Sequence, residues 1–100
     1  MEIKEQRDGD SLTIWISGRL DTNTAPEAET RINNALEGIK HLMLDLADLE
    51  YVSSAGLRTI LCLHKTMEKR EKGGLKIAHL KDEVKEIFEI TGFTVFLNIV

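Results

Sequence analysis

Scarcities narrow this chain of 100 residues before any motif does. It has a single cysteine, Cys62, which cannot close an internal disulfide or supply most of a metal site. Cys62 lies in an apolar-periodic stretch and reads as a small buried hydrophobe. With one tryptophan, one tyrosine and three phenylalanines, the core must be built mainly from Leu, Ile and Val. No apolar run approaches the ~20 residues that a membrane span requires. No secretory leader pattern opens the chain, so membrane insertion is not expected and a cytoplasmic location is. Basic residues are not in excess: 13 Lys and Arg stand against 17 Asp and Glu, a formal net charge of −4. Nucleic-acid binding is therefore not expected, since it needs a clustered basic face. The cations of residues 65–72 alternate with Glu68 and Glu71, as on a solvated helix face. Enzyme signatures are missing as well. There is no Gly-x-Ser-x-Gly, no phosphate-binding Gly-rich loop, and no His–acid pair evident from spacing. Neither a cofactor nor a metal is expected.

What is present is an alternation of strand and helix patterns. The 42% hydrophobic content suits one modest core, and no linker or repeat divides the chain, which predicts a single domain over 1–100. Residues 2–6 suit an edge strand, and Asp8-Gly9-Asp10 a turn. Leu12, Ile14 and Ile16 alternate with Thr13, Trp15 and Ser17, predicting a half-buried strand that stops near Gly18. Thr24 and Glu27 have capping-box spacing with Pro26 in the first turn. A helix should follow, with Ala25, Ala28, Ile32, Ala35, Leu36 and Ile39 inward and Gly38 near its end. Leu42–Leu46 reads as a buried strand. A helix from about Ser54 carries Leu57, Ile60, Leu61 and Met67 inward and stops at Gly73-Gly74. Leu75–Ala78 is a short strand, Asp82 caps a third helix ended by Gly92, and Val95–Val100 is a last strand or tail. This order predicts an α/β domain: a mixed, largely parallel sheet with helices packed against it. In such sheets functional groups gather at the carboxyl ends of strands, which singles out the loops 18–23 and 48–56.

The second loop holds Val52-Ser53-Ser54-Ala55-Gly56-Leu57-Arg58. Ser54 stands at the mouth of a helix, where unpaired N–H groups and the macrodipole favour negative charge. Phosphate there would be stabilised yet exposed. The plainer alternative is that Ser54 merely caps the helix. Ser53 is an ordinary turn residue, and Asp21 a helix cap or an Asx-turn. Arg58 follows Ser54 at (i, i+4) spacing and reads first as a solvated residue. His64 suits a partly buried position; His41 and His79 are too scattered to pair.

Three stretches together are similar to the STAS domains of the anti-sigma factor antagonist family. They are Ile16-Ser17-Gly18-Arg19-Leu20-Asp21, Leu44-Asp45-Leu46 through Val52–Leu57, and Ile90-Thr91-Gly92-Phe93. The resemblance implies a layered α/β domain that is not an enzyme but a partner-switching regulator. It places the phosphorylation site at Ser54, with Ser53 as the alternative acceptor. Asp21, Ser53, Ala55 and Gly56 would form the supporting acceptor loop, Asp21 positioning the serine or a kinase-bound metal. Leu57 and Arg58 would meet the partner. The implied partners are an anti-sigma factor that is itself a serine kinase, and a serine phosphatase that resets the switch. The family's usual run is Asp-Ser-Ser/Thr-Gly-Leu. Here Ser53 replaces the Asp, removing a negative charge beside the acceptor, and Ala55 replaces the second hydroxyl residue. That departure supports an alternative expectation: a non-phosphorylated scaffold or accessory subunit of a transporter, lipid-transport or stress-sensing complex.

Overall fold

The computed structural model describes residues 1–100. Strand β1 (Glu2–Asp8) returns through the Gly9-Asp10 turn into β2 (Ser11–Leu20), the ten-residue spine of the sheet. Gly9 has φ +62°, a left-handed conformation that glycine adopts at no steric cost. The two strands pair antiparallel from Glu2–Ser17 to Asp8–Ser11. The period-2 pattern of β2 is realised: Leu12, Ile14, Ile16 and Leu20 are buried, while Ser11, Thr13, Trp15 and Ser17 are half-buried on the other face.

Helix α1 (Ala25–Asn34) carries the chain to β3 (His41–Asp45), which lies parallel to β2. Parallel strands β5 (Gly74–Ala78) and β6 (Asn98–Ile99) extend the sheet in the order β1-β2-β3-β5-β6. Helix α2 (Ser54–Glu68) and helix α3 (Asp82–Ile90) complete the layer. A short 3₁₀ turn, Phe93–Val95, follows Gly92, whose φ of +81° ends α3 as expected. All three helices contribute to one core of 24 buried residues, which includes Ile14, Leu44 and Ile77 of the sheet, Ile32, Ile60 and Phe88. The helices therefore cover one face of the sheet and leave the other open. The expected α/β class holds.

Five local expectations need correction. Strand β2 does not stop at Gly18 (φ +83°); an irregularity between Gly18 and Arg19 lets it run on to Leu20. Beyond that point it pairs with β4 (Leu49–Val52), a parallel strand inside what reads from sequence as a loop. Helix α1 ends at Asn34, so Leu36 and Ile39 reach the core from the following turn. Its capping box does not form, because the Thr24 hydroxyl turns back to accept from Asp21 N–H and to donate to the Arg19 carbonyl. Finally, the N-cap of α3 is Lys81, and Asp82 is its first residue.

Candidate functional site

The site begins where β2 and β4 end side by side. Leu20 pairs with Val52, and one residue on, Ser53 N–H donates to the Leu20 carbonyl at 2.9 Å. That bond holds Ser53 extended (φ −94°, ψ 177°), the backbone of an N-cap. Its hydroxyl oxygen accepts from Gly56 N–H at 3.4 Å, and its carbonyl from Leu57 N–H at 2.9 Å. Ser53 is the capping residue, and the plain capping reading of Ser54 is overturned. Ser54 is the exposed first residue of α2, and no hydrogen bond holds its hydroxyl. Helix starts expose unpaired N–H groups and positive potential, so an anion on Ser54 would meet both.

Gly56 explains how the helix starts so close to the sheet. A Cβ on it would stand 2.5 Å from the Leu20 carbonyl oxygen and 2.8 Å from Val52 Cγ2, closer than real contacts allow. Ala55 is half-buried beside it. Leu57, expected at the partner surface, is instead 5% exposed and part of the core. Helical periodicity turns position 57 inward, so Leu57 holds α2 down. Arg58 remains exposed, one turn beyond Ser54, in no salt bridge. Ser54, Arg58 and Cys62 form one wall of an open groove of about 630 Å³; Thr22, Pro26 and Glu29 line the other. Cys62 is half-buried there rather than fully enclosed.

Asp21 follows directly on the end of β2. Its Oδ1 accepts from Asn23 N–H (3.0 Å) and Thr24 N–H (3.2 Å), an Asx-turn, one of the two alternatives that the sequence left open. Its Oδ2 is 3.6 Å from Arg19 Nε. Partial burial raises the carboxyl pKa, but the Asn23 and Thr24 amides, the Thr24 hydroxyl and Arg19 outweigh it and hold Asp21 below the usual aspartate range. No hydrogen bond joins Asp21 to Ser54; the two loops are neighbours through Leu20 and Val52. Arg19 is fixed in turn by the Tyr51 ring, 4.2 Å from its guanidinium carbon. The Arg19–Tyr51 contact carries no sequence signal, because it depends on β4.

A His–acid contact also exists that spacing did not reveal. His79 Nδ1 lies 3.0 Å from Asp45 Oδ2 across the β3–β5 boundary, and His79 itself has φ +63°. It belongs to the open side of the sheet, and no group of three His, Cys, Asp or Glu side chains is placed to hold a metal. His64 is partly buried as expected, its ring 5.3 Å from that of Phe96. No helix is long and apolar enough to cross a membrane.

Comparison with known proteins agrees with this geometry. A family model described as the STAS domain matches residues 2–100. The anti-sigma-B factor antagonist of Listeria monocytogenes is 34% identical over 101 residues, covering 99% of this chain and 86% of the relative. The protein of the same name from Bacillus subtilis is 25% identical, covering 99% and 90%. Among solved structures, the anti-sigma factor antagonist SpoIIAA in its unphosphorylated form superposes with a TM-score of 0.83 at 14% identity, covering 99% of this chain and 88% of that one. The phosphorylated form of the Bacillus SpoIIAA gives 0.75 at 13% identity, covering 99% and 91%. The names of these relatives describe anti-sigma factor antagonists. A helix-mouth serine freed from capping, set on a β2–β4 junction in a sheet covered on one face, is thus found in a chain that belongs to the STAS domain family, among the anti-sigma factor antagonists.

Proposed function

We propose that this chain is a cytoplasmic anti-sigma factor antagonist that switches partners through Ser54. The observation that carries the proposal is the division between two adjacent serines. Ser53 spends its hydroxyl on Gly56 N–H, whereas Ser54 is exposed and structurally uncommitted. Unmodified, the protein binds a kinase-type anti-sigma factor around Ser54, Arg58 and the groove between α1 and α2, and so frees the sigma factor. The bound partner transfers a phosphoryl group from ATP to Ser54 Oγ; a serine phosphatase later removes it.

Phosphate adds about −1.5 to −2 charge at neutral pH. At the helix mouth its interaction is worth only ~0.3–2 kcal/mol, so folding persists. That SpoIIAA shares this fold in both of its forms supports the same point. An interface formed around a neutral hydroxyl, by contrast, suffers desolvation and repulsion. Binding switches while the fold stays. Asp21 contributes a fixed negative charge at the neighbouring loop, placed to orient a kinase-bound metal or the approaching partner.

The replacement of the family's usual Asp by Ser53 favours a second reading, a scaffold or accessory subunit whose serine is never modified. Affinity capture from host lysate with ATP separates the two, using wild type, Ser54→Ala, Ser54→Asp and Ser53→Ala as baits. On the switching reading, Ser54→Ala retains a kinase-type anti-sigma factor, Ser54→Asp loses it, and mass spectrometry finds phosphate on Ser54 of the wild type. Ser53→Ala keeps binding but loses about 0.5–1 kcal/mol of stability with its cap. Equal capture of the same scaffold proteins by the alanine and aspartate baits overturns switching, as does unfolding of Ser54→Asp.

A further inference from the structure

The sheet face opposite the helices is uncovered, and its two ends carry opposite charge. Trp15, Thr13 and Met43 lie at its centre, half-buried with no element above them. Towards the carboxyl ends of the parallel strands, a depression of about 650 Å³ beside Trp15 is lined by Glu2, Glu5, Asp45 and Asp48, with Lys4 the one cation. Towards the other end, a depression of about 530 Å³ beside Thr13 and Met43 is lined by His41, Lys72 and Lys76 and by no acidic residue. Register places these rows in order: Lys4, Trp15, Asp45 and Ala78 in one, then Gln6, Thr13, Met43, Lys76 and Asn98.

A surface mostly acidic at one end and mostly basic at the other, with Asp8 the one acidic group in the Ser11–His41 row of the basic end, is complementary to itself. A two-fold axis lying in the plane between two such faces, across the strands, sets each acidic end on the partner's basic end. The charge match then occurs twice in one isologous contact. No single patch on a foreign partner is needed to explain both ends. We infer that the open sheet face is a homodimer interface, its occupant a second copy of this chain packed face to face with strands running in opposite directions.

The size of the face sets the strength. Four strands about 4.8 Å apart, with roughly five to seven residues each at ~3.3 Å, and the two-residue β6 at the edge present roughly 400 Å² per copy, smaller than a standard specific interface. A face this small suits a weak dimer, populated only at high micromolar to millimolar protein. It is also independent of the Ser54 switch, since α2 lies on the covered face of the sheet.

Trp15 is the only tryptophan and reports on the face directly. Sedimentation equilibrium and Trp emission are followed from about 1 µM to 1 mM for the full chain, spanning the expected weak Kd. The wild type should dimerise, with Trp15 emission shifting to the blue in parallel. Two charge variants use exposed side chains: Lys72→Glu with Lys76→Glu, acidic at both ends, and Glu2→Lys with Asp48→Lys, basic at both ends. Each alone should self-associate at least about tenfold more weakly, while an equimolar mixture should recover wild-type association as a heterodimer. Ser54→Asp should dimerise like the wild type. Circular dichroism checks that each variant is folded; if one is not, Lys76→Glu and Asp48→Lys alone replace the pairs. A wild type monomeric to about 1 mM leaves the face to some other occupant and overturns the inference. So does a dimer indifferent to these charges, a mixture that fails to recover, or a dimer broken by Ser54→Asp.

Discussion

Asp21 is held by its own loop more tightly than its exposure suggests. The side chain is 24% exposed, yet two backbone N–H groups, a hydroxyl and a guanidinium address its oxygens. Its folded pKa lies below the value of about 3.9 for an unstructured aspartate. The sign of the linkage follows: the carboxylate's contribution to stability is complete above the unfolded value and is lost as pH falls through the folded one. An NMR titration of the Asp21 carboxyl carbon should therefore show a midpoint below that of an unstructured peptide, and Asp21→Asn should flatten the acid limb of stability against pH. A midpoint at or above the peptide value would contradict the Asx-turn as the source of the shift. At this scale the sequence was legible to within one residue. Ser53 and Ser54 both suit a cap, and only the pairing of Leu20 with Val52, which holds Ser53 extended, decides between them. His79 and Asp45 were not legible at all, being 34 positions apart and joined only by sheet register.

Helix α2 owes its position to an absence of side chain. In an exposed helix, alanine is favoured over glycine by about 1 kcal/mol. At Gly56 the balance reverses, because the added methyl meets the Leu20 carbonyl, a backbone atom fixed in the sheet, and Val52. Gly56→Ala should destabilise the domain by about 1–3 kcal/mol, read as a lower urea midpoint with unchanged slope. A variant as stable as the wild type would mean that α2 can shift outward freely. The same junction shows why β4 escaped sequence reading. Leu49-Glu50-Tyr51-Val52 is buried, exposed, exposed, buried, with no period of two, and four residues follow directly on a turn. Its status as a strand comes from the β2 residues beyond Gly18, which offer it a free edge. The α1 box failed for a related reason: Thr24 finds closer partners in the loop behind it than in the helix ahead.

Across the whole domain, the helix layer is tied together by one half-buried guanidinium. Arg70, just past α2, donates through Nη1 to the Leu36 (2.7 Å) and Ile39 (2.5 Å) carbonyls in the turn after α1. Removing it leaves two acceptors short of a charged donor, so Arg70→Ala should cost about 1–3 kcal/mol. Thermal melting should fall by about 4–8 °C per kcal/mol for a domain of this length. A melting temperature within a degree of wild type would show that water replaces the guanidinium. Fold class, strand alternation and the Ser54 loop were readable because they are written in local periodicity, whereas ties such as Arg70 to Leu36 span the chain. One consequence concerns time. Apart from the β1–β2 hairpin, each pairing in this sheet joins segments well apart in the chain, and such contacts form late. The surroundings of Ser54 come into being only once residue 52 has met residue 20. A nascent or unravelled chain presents the same serine in a stretch with no shape, so under the proposed switch a kinase that reads the junction would modify finished molecules and pass over those still being made.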